Sequence, residues 1–140
     1  MASAEAAVVA ILELDAGVTA LVGTRIYPKV LPQNVTYPAI RYQRISTARG
    51  QFRVMTRSGG KATRQQPRFQ LDSYGLTESS VQAVAAAVRA ALDGYAGVAA
   101  TLKIDQILLE DEGGDLELDV GDDSASVNRV RQDYLVSHAE

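Results

Sequence analysis

The chain has 140 residues, 46% apolar and 22% charged, with a formal net charge of -3 and no cysteine. That is one domain's worth, residues 1–140, long enough to bury a core without staples, and its composition is that of an ordinary soluble globular protein. Disulfides, thiolate catalysis and cysteine-ligated zinc are excluded, and no apolar run approaches the roughly 18 residues that span a bilayer.

The opening MASAEAAVVAILELDAG lacks a basic stretch and carries Glu5, Glu13 and Asp15. No secretory leader is expected there, and the chain is expected in the cytoplasm where it is made. Ser3 can cap a first helix, with Glu5 in its first turn and Val8, Ile11 and Leu12 on one face. Gly17 is expected to end it, and a short helical turn over 18–22 stops at Gly23. Pro28, Pro32 and Pro38 then keep the chain extended and irregular. Residues 39–45 read as a strand, with Ile40 and Tyr42 opposite Arg41 and Gln43. Residues 68–74 read as another, with Phe69 and Leu71 inward and Arg68, Gln70 and Asp72 outward.

A second helix is the clearest element. Thr77 can cap it, Val81, Val84, Ala85, Val88 and Leu92 repeat at helical spacing, and Asp93-Gly94 closes it. In the strand over 101–110, Leu102 and Ile104 share one phase and Ile107 and Leu109 the other, which a bulge would reconcile. Asp-Glu-Gly-Gly-Asp (111–115) is a turn signal, after which Leu116, Leu118 and Val120 alternate with Glu117 and Asp119. A last strand carries Val130, Tyr134 and Val136 on one face and Arg129, Arg131 and Asp133 on the other. The expected fold is α+β: an antiparallel sheet of four to five strands, two helices packed on one face, and a protruding β-arm over about 46–66. In that arm Phe52 and Val54 alternate with Arg53 and Met55, and Gly59-Gly60 can turn the chain back.

The charges fall into two blocks. Arg41, Arg44, Arg49, Arg53, Arg57, Lys61, Arg64 and Arg68 come before the first carboxylate of that region, Asp72. Asp105, Glu110, Asp111, Glu112, Asp115, Glu117, Asp119, Asp122 and Asp123 follow one another with no cation between them. Charge runs are often just solvated faces. Two complementary blocks can also steer and orient an association. The candidate residues for a subunit or partner interface are therefore Arg49, Phe52, Arg53, Val54, Met55, Arg57, Lys61 and Arg64 in the arm, and Glu110, Asp111, Glu112, Asp115, Glu117 and Asp119 in the acidic run. The sequence leaves open whether the arm meets a neighbouring subunit or another partner.

Enzyme chemistry has little material. The one histidine, His138, sits three residues from the end, where a solvated, frayed side chain is expected. Ser-Gly-Gly-Lys-Ala-Thr (58–63) fails the phosphate-loop pattern, because Ala62 and Met55 stand where Ser/Thr and Gly are required. An EF-hand register on Asp115, Glu117 and Asp119 puts Val120 at the obligatory glycine and Ser126 at the bidentate glutamate. No cofactor or metal is expected. A nucleic-acid-binding module using the basic 41–68 stretch is the rival reading, but it offers one stacking aromatic, Phe52, and matches no known recognition motif.

The segment VTALVGTRIYPKVLPQNVTYPAIRYQRIS (18–46) resembles the opening of the tail-completion, or tail-terminator (head–tail joining), proteins of tailed bacteriophages. The matching motifs are Ala-Leu-Val-Gly (20–23), Arg25-Ile26-Tyr27-Pro28 and Pro-Ala-Ile (38–40). RFQLDSYG (68–75), ALDG (91–94) and RVRQDYLV (129–136) agree in outline, whereas the acidic stretch after residue 109 has no counterpart in that pattern. The resemblance implies a non-catalytic virion protein that forms a homo-oligomeric ring, six-fold in better-known relatives, at the head-proximal end of the tail. Such a ring ends tail-tube polymerisation and docks to the head connector, and DNA passes through its channel without sequence-specific binding. The same role occurs in gene transfer agents and tail-like bacteriocins. It places the protein in the virion tail or neck, with no membrane partner. The Arg25–Pro28 turn reads either as a fold-stabilising corner or as a partner contact.

Overall fold

The computed structural model describes residues 3–49, 54–55, 61–62, 64–119 and 122–139. Its first helix, α1 (Ala4–Leu14), is capped by Ser3, whose hydroxyl accepts from the Ala6 amide at 3.1 Å. Asp15 then serves two helices. Its amide donates to the Leu12 carbonyl, and its carboxylate accepts from the Val18 amide at 3.0 Å to cap α2 (Ala16–Val22). Gly17 therefore lies inside α2, contrary to expectation: a side-chain cap restarts the helix where glycine alone would have ended it. The third helix, α3 (Glu78–Leu92), begins at Thr77 as expected, with its hydroxyl accepting from the Ser80 amide at 3.1 Å.

The strands are β1 (Ile26–Pro28), β2 (Ala39–Arg49), β3 (Val54–Met55), β4 (Lys61–Ala62), β5 (Arg64–Gly75), β6 (Gly97–Ala99), β7 (Leu102–Asp119) and β8 (Asp122–Ala139). Six of them form one sheet in the order β1-β2-β5-β8-β7-β6, while β3 and β4 pair separately, Val54 with Ala62 and Met55 with Lys61. The α+β class holds, but the expected count is corrected to six strands and three helices. Three-residue strands are too short for alternation to reveal. β1 is also parallel to β2, joined to it by Ile40 N–H to the Arg25 carbonyl (3.0 Å) and Lys29 N–H to the Tyr42 carbonyl (2.9 Å).

β7 and β8 form a long hairpin, and here the expected turn at 111–115 is overturned. Gly113 and Gly114 lie inside β7 opposite Arg131 and Val130, and pairing continues to Asp119 opposite Asp122. A Cβ on Gly113 would sit 3.4 Å from an Arg131 Nη, so the glycine makes room for a cross-strand guanidinium rather than for a turn. The phase change between Ile104 and Ile107 is resolved by an irregularity between Ile104 and Gln106, as expected.

One core joins all three helices to the sheet: Val8, Ile11 and Leu12 of α1, Val18 and Val22 of α2, and Val84, Val88 and Leu92 of α3 pack with Ile40, Phe69, Leu71, Ile104, Ile107, Tyr134 and Val136. Two backbone positions are tight. At Gly75 a Cβ would meet the Val81 amide nitrogen at 3.0 Å and the Ser80 hydroxyl at 3.1 Å, because β5 runs straight into the start of α3. Between β6 and β7, where Ala99 pairs with Leu102, Ala100 (φ 47°) and Thr101 (φ 65°) are both left-handed. That two-residue turn normally takes glycine or asparagine.

Gly75→Ala is expected to cost about 1–3 kcal/mol in urea unfolding, since the neighbour is backbone that must move. Thr101→Gly is expected to stabilise by about 1 kcal/mol, read as a raised melting temperature; an unchanged or lowered one would refute the strain.

Candidate functional site

The acidic block spans β7 and, at Asp122 and Asp123, the start of β8, and part of it is engaged within the chain. Asp111 accepts from Arg131 at 3.1 Å, and Glu112 accepts from Arg89 of α3 at 2.7 Å and from the Gln132 amide at 2.7 Å. Gln132, fully buried on the helix-facing side of β8, also donates to the Ala85 carbonyl at 3.1 Å. It was legible by parity, since it falls in phase with Val130 and Tyr134. Beside it the Tyr134 hydroxyl is buried without a hydrogen-bond partner. Burial, then the charges of Asp93 and Glu112, push its phenol above the ordinary range, so it stays protonated. Glu110 is exposed. Asp115, Glu117 and Asp119 continue along β7 opposite Arg129, Val127 and Asp122.

The basic block is divided. Arg41 pairs with Asp72, which is completely buried although its strand phase pointed it outward. Gln70 also donates to both Asp72 oxygens, at 3.1 and 3.0 Å, so the face of the sheet away from the helices holds a satisfied charge there rather than solvent. Arg44 reaches Glu5 of α1, bonds the Thr47 hydroxyl at 2.9 Å, and lies 5.4 Å over the Phe69 ring. Burial works against ionisation of Glu5, but the Arg44 hydrogen bond and charge outweigh it and hold the carboxyl below its usual value. Two of the eight cations are thus bound within the fold. Arg49 and Arg64 stand at the ends of β2 and β5. Val54, Met55 and Lys61 lie in β3 and β4. Phe52, Arg53 and Arg57 fall outside the described residues.

The Arg25–Pro28 turn is a structural corner. Arg25 donates from Nε to the Pro38 carbonyl at 2.9 Å and from Nη2 to the Leu21 carbonyl at 3.3 Å, tying the end of α2 to the entry of β2. Ile26 and Tyr27 are half-buried, whereas Pro28 is exposed.

His138 departs from expectation. It is buried in β8 opposite Gln65 and Ile104, because that strand runs to Ala139 instead of fraying. A notch of about 360 Å³ lies between the ends of α1 and α3 and β6. Its walls are mainly Ile11, Leu14, Ala91, Tyr95 and Val98, with Asp15, already used as a cap, as its carboxylate. Among the described residues no group of three or more histidines and carboxylates could hold a metal ion, and no helix is long and apolar enough to cross a membrane.

The model of a known family, tail completion protein gp17, matches residues 6–131. The chain belongs to that family. The fold agrees with a chain from the virion of a native gene transfer agent particle, with a TM-score of 0.71 at 19% identity over 99% of this chain and 96% of that one. No curated protein matches it. The family match makes this a structural component of a virion tail, a role that points away from catalysis.

Asp72→Ala is expected to cost about 3–5 kcal/mol by leaving Arg41 without its carboxylate, measured by chemical unfolding. A loss under about 1 kcal/mol would show that the pair is solvent-screened instead.

Proposed function

We propose that this tail completion protein assembles as a homo-oligomeric ring, hexameric as the resemblance implies, on the head-proximal end of the tail. There it stops tube polymerisation and meets the head connector. Assembly would take place in the host cytoplasm. One observation carries the reading: Arg49, where the basic arm begins, and the acidic tip of the β7–β8 hairpin lie at opposite ends of the same sheet. Arg49 is level with Gln65, His138 and Ile104, whereas Asp119 lies past the level of Gly75 and Asn128. Fifteen residues of strand separate those levels, up to roughly 50 Å at about 3.3 Å per residue. Salt screens charge over about 8 Å, so Arg49 at the base of the arm and the acidic hairpin tip do not satisfy each other within one protomer. They match between protomers, and a head-to-tail contact between two different patches generates a ring when its rotation closes.

Under this reading, the arm residues Arg49, Phe52, Arg53, Val54, Met55, Arg57, Lys61 and Arg64 engage the next copy at Glu110, Asp111, Glu112, Asp115, Glu117 and Asp119. Exposed pairs contribute about 0–1 kcal/mol each, so the charges set direction and register while apolar arm residues supply affinity. Duplex DNA passes through a channel kept from being strongly basic, because the arm cations are engaged by protein. A nucleic-acid module is less supported, since Arg41 and Arg44 are held by Asp72 and Glu5.

Light scattering and negative-stain microscopy, with and without tail tubes, are expected to show closed rings that dissociate as salt rises. Deleting residues 49–64 is expected to leave the far-ultraviolet circular dichroism of the folded sheet and helices but abolish assembly and tail capping. Intact assembly in the deletion, or tight duplex binding by a monomer at physiological salt, would overturn the proposal.

A further inference from the structure

Among the described residues the sheet has two incompletely covered edges. β1 covers β2 only at Ile40–Tyr42, and over residues 43–49 β5 is the only strand beside β2 among the described residues. On the far side β6 covers β7 at Leu102–Ile104. The cover then continues through Gly94 and Tyr95 to Ile107, and through the Asp93 carboxylate to the Leu109 amide at 3.0 Å. From Glu110 to Asp119, β8 is the only strand beside β7 among the described residues. Each open stretch begins at a register irregularity, Arg44/Ser46 in β2 and Leu109/Asp111 in β7. Neither stretch contains a proline.

We infer that neighbouring copies join by strand addition, with the open edge of β2 in one copy pairing antiparallel with the open edge of β7 in the next, so that the sheet runs on through the ring. The inference rests on the ring proposed above and adds its backbone joint.

Three features select this pairing. The first is charge: residues 43–49 hold two cations and no acid, and residues 110–119 hold six acids and no cation. Arg44, Asp111 and Glu112 are already paired within the fold, with Arg49, Glu110, Asp115, Glu117 and Asp119 as the remaining charges of the two stretches. A two-fold contact of β7 with β7, or of β2 with β2, would set like charges opposite each other, which is destabilising, whereas β2 with β7 sets unlike ones. The second is direction. β2–β5, β5–β8 and β8–β7 are all antiparallel, so β2 and β7 run oppositely within one copy. A copy rotated about an axis along the strands therefore presents its β2 antiparallel to this β7, and the alternation continues. The third is protection. A long uncovered edge invites indiscriminate pairing, and charge on it blocks every partner except one of opposite sign.

The open stretches are not level. Ser46 aligns through Arg68 and Leu135 with Leu108, about six residues above the middle of the open stretch of β7. The joint therefore needs a stagger of about 20 Å at ~3.3 Å per residue. Strands in closed sheets tilt by about 35–45°. Four strands spaced by about 4.8 Å and tilted near the upper end of that range shift by a similar amount.

The chain lacks cysteine, so paired cysteines report only the designed contact. Thr47→Cys would be combined in turn with cysteine at each position from 110 to 119 and oxidised under conditions where the wild-type protein forms rings. Inter-strand disulfides need Cα atoms about 4.4–6.8 Å apart. The expected result is a ladder of covalent multimers at one or two positions of the scan and a several-fold weaker ladder at the rest. Gly114→Pro, where an added Cβ meets nothing closer than 3.6 Å, is expected to raise the concentration needed for ring formation at least tenfold. If that variant fails to fold, the cysteine scan alone decides. Wild-type rings with no cross-link or a uniform one, or a folded Gly114→Pro that assembles like the wild type, would overturn strand addition and leave the ring standing. Absence of rings with and without tail tubes would overturn the ring, and this joint with it.

Discussion

The register across β2, β5, β8 and β7 is the constraint on which the rest depends. Strand pairing fixes every residue's height as well as its face. Arg49 shares a level with His138 and Ile104, and Ile40 with Ser73, Val130 and Gly114. Those levels carry Arg49, at the base of the arm, to one end of the sheet and the tip of the acidic hairpin to the other. The same register puts Phe69 beside Tyr134 and Leu109 on the helix side, so the hydrophobic core and the separation of charge come from one set of backbone hydrogen bonds. A slip of one residue in β8 would turn Tyr134 and Val136 away from the helices and lose both.

The two faces of the sheet solve different problems. On one, three helices supply a continuous apolar layer. On the other, Asp72 is buried without such a layer and is satisfied by Arg41 and Gln70. A buried carboxylate with its partners in place is a weak source of stability but a strict one, because losing a partner leaves a charge that water cannot reach. It therefore penalises wrong registers between β2 and β5 more than it rewards the right one. On the helix side, three residues further along β2, Arg44 is bracketed by Glu5, Thr47 and the Phe69 ring and so ties α1 to the sheet.

Elements whose signals are local were legible. Ser3 and Thr77 as caps, the apolar stripe of α3, the strand alternations around Phe69 and Tyr134, and the phase change before Ile107 all follow from chemistry within a few residues. Features decided by distant partners were not. Gly113-Gly114 has the composition of a turn but is held in β7 by Arg131 and Val130. Gly17 looks like a stop, yet Asp15 caps the next helix across it. Asp72 has an outward phase but is buried by Arg41, 31 positions away. His138 sits near the end of the chain and is covered because β8 continues past it. The charge blocks themselves were plain in the sequence. That Arg49 and the acidic hairpin tip stand at opposite ends of one sheet was not, since this needs the register of four strands.

Charge alone is a poor joint for an assembly that must close. Exposed ion pairs contribute little, and salt weakens them over the distances at which an encounter is steered. Backbone pairing has the complementary weakness: any free edge can join any other, so it carries affinity without identity. An acidic edge matched to a basic one combines the two, with the charges rejecting like edges and the backbone hydrogen bonds holding the accepted one. This division would also act while copies of the proposed ring are still apart. Between such copies the carboxylates of β7 would repel the same edge, while Arg131 and Arg89 already pair with Asp111 and Glu112. In the proposed ring, the charge of the edge would turn away wrong partners and orient the right one, and the backbone would hold it.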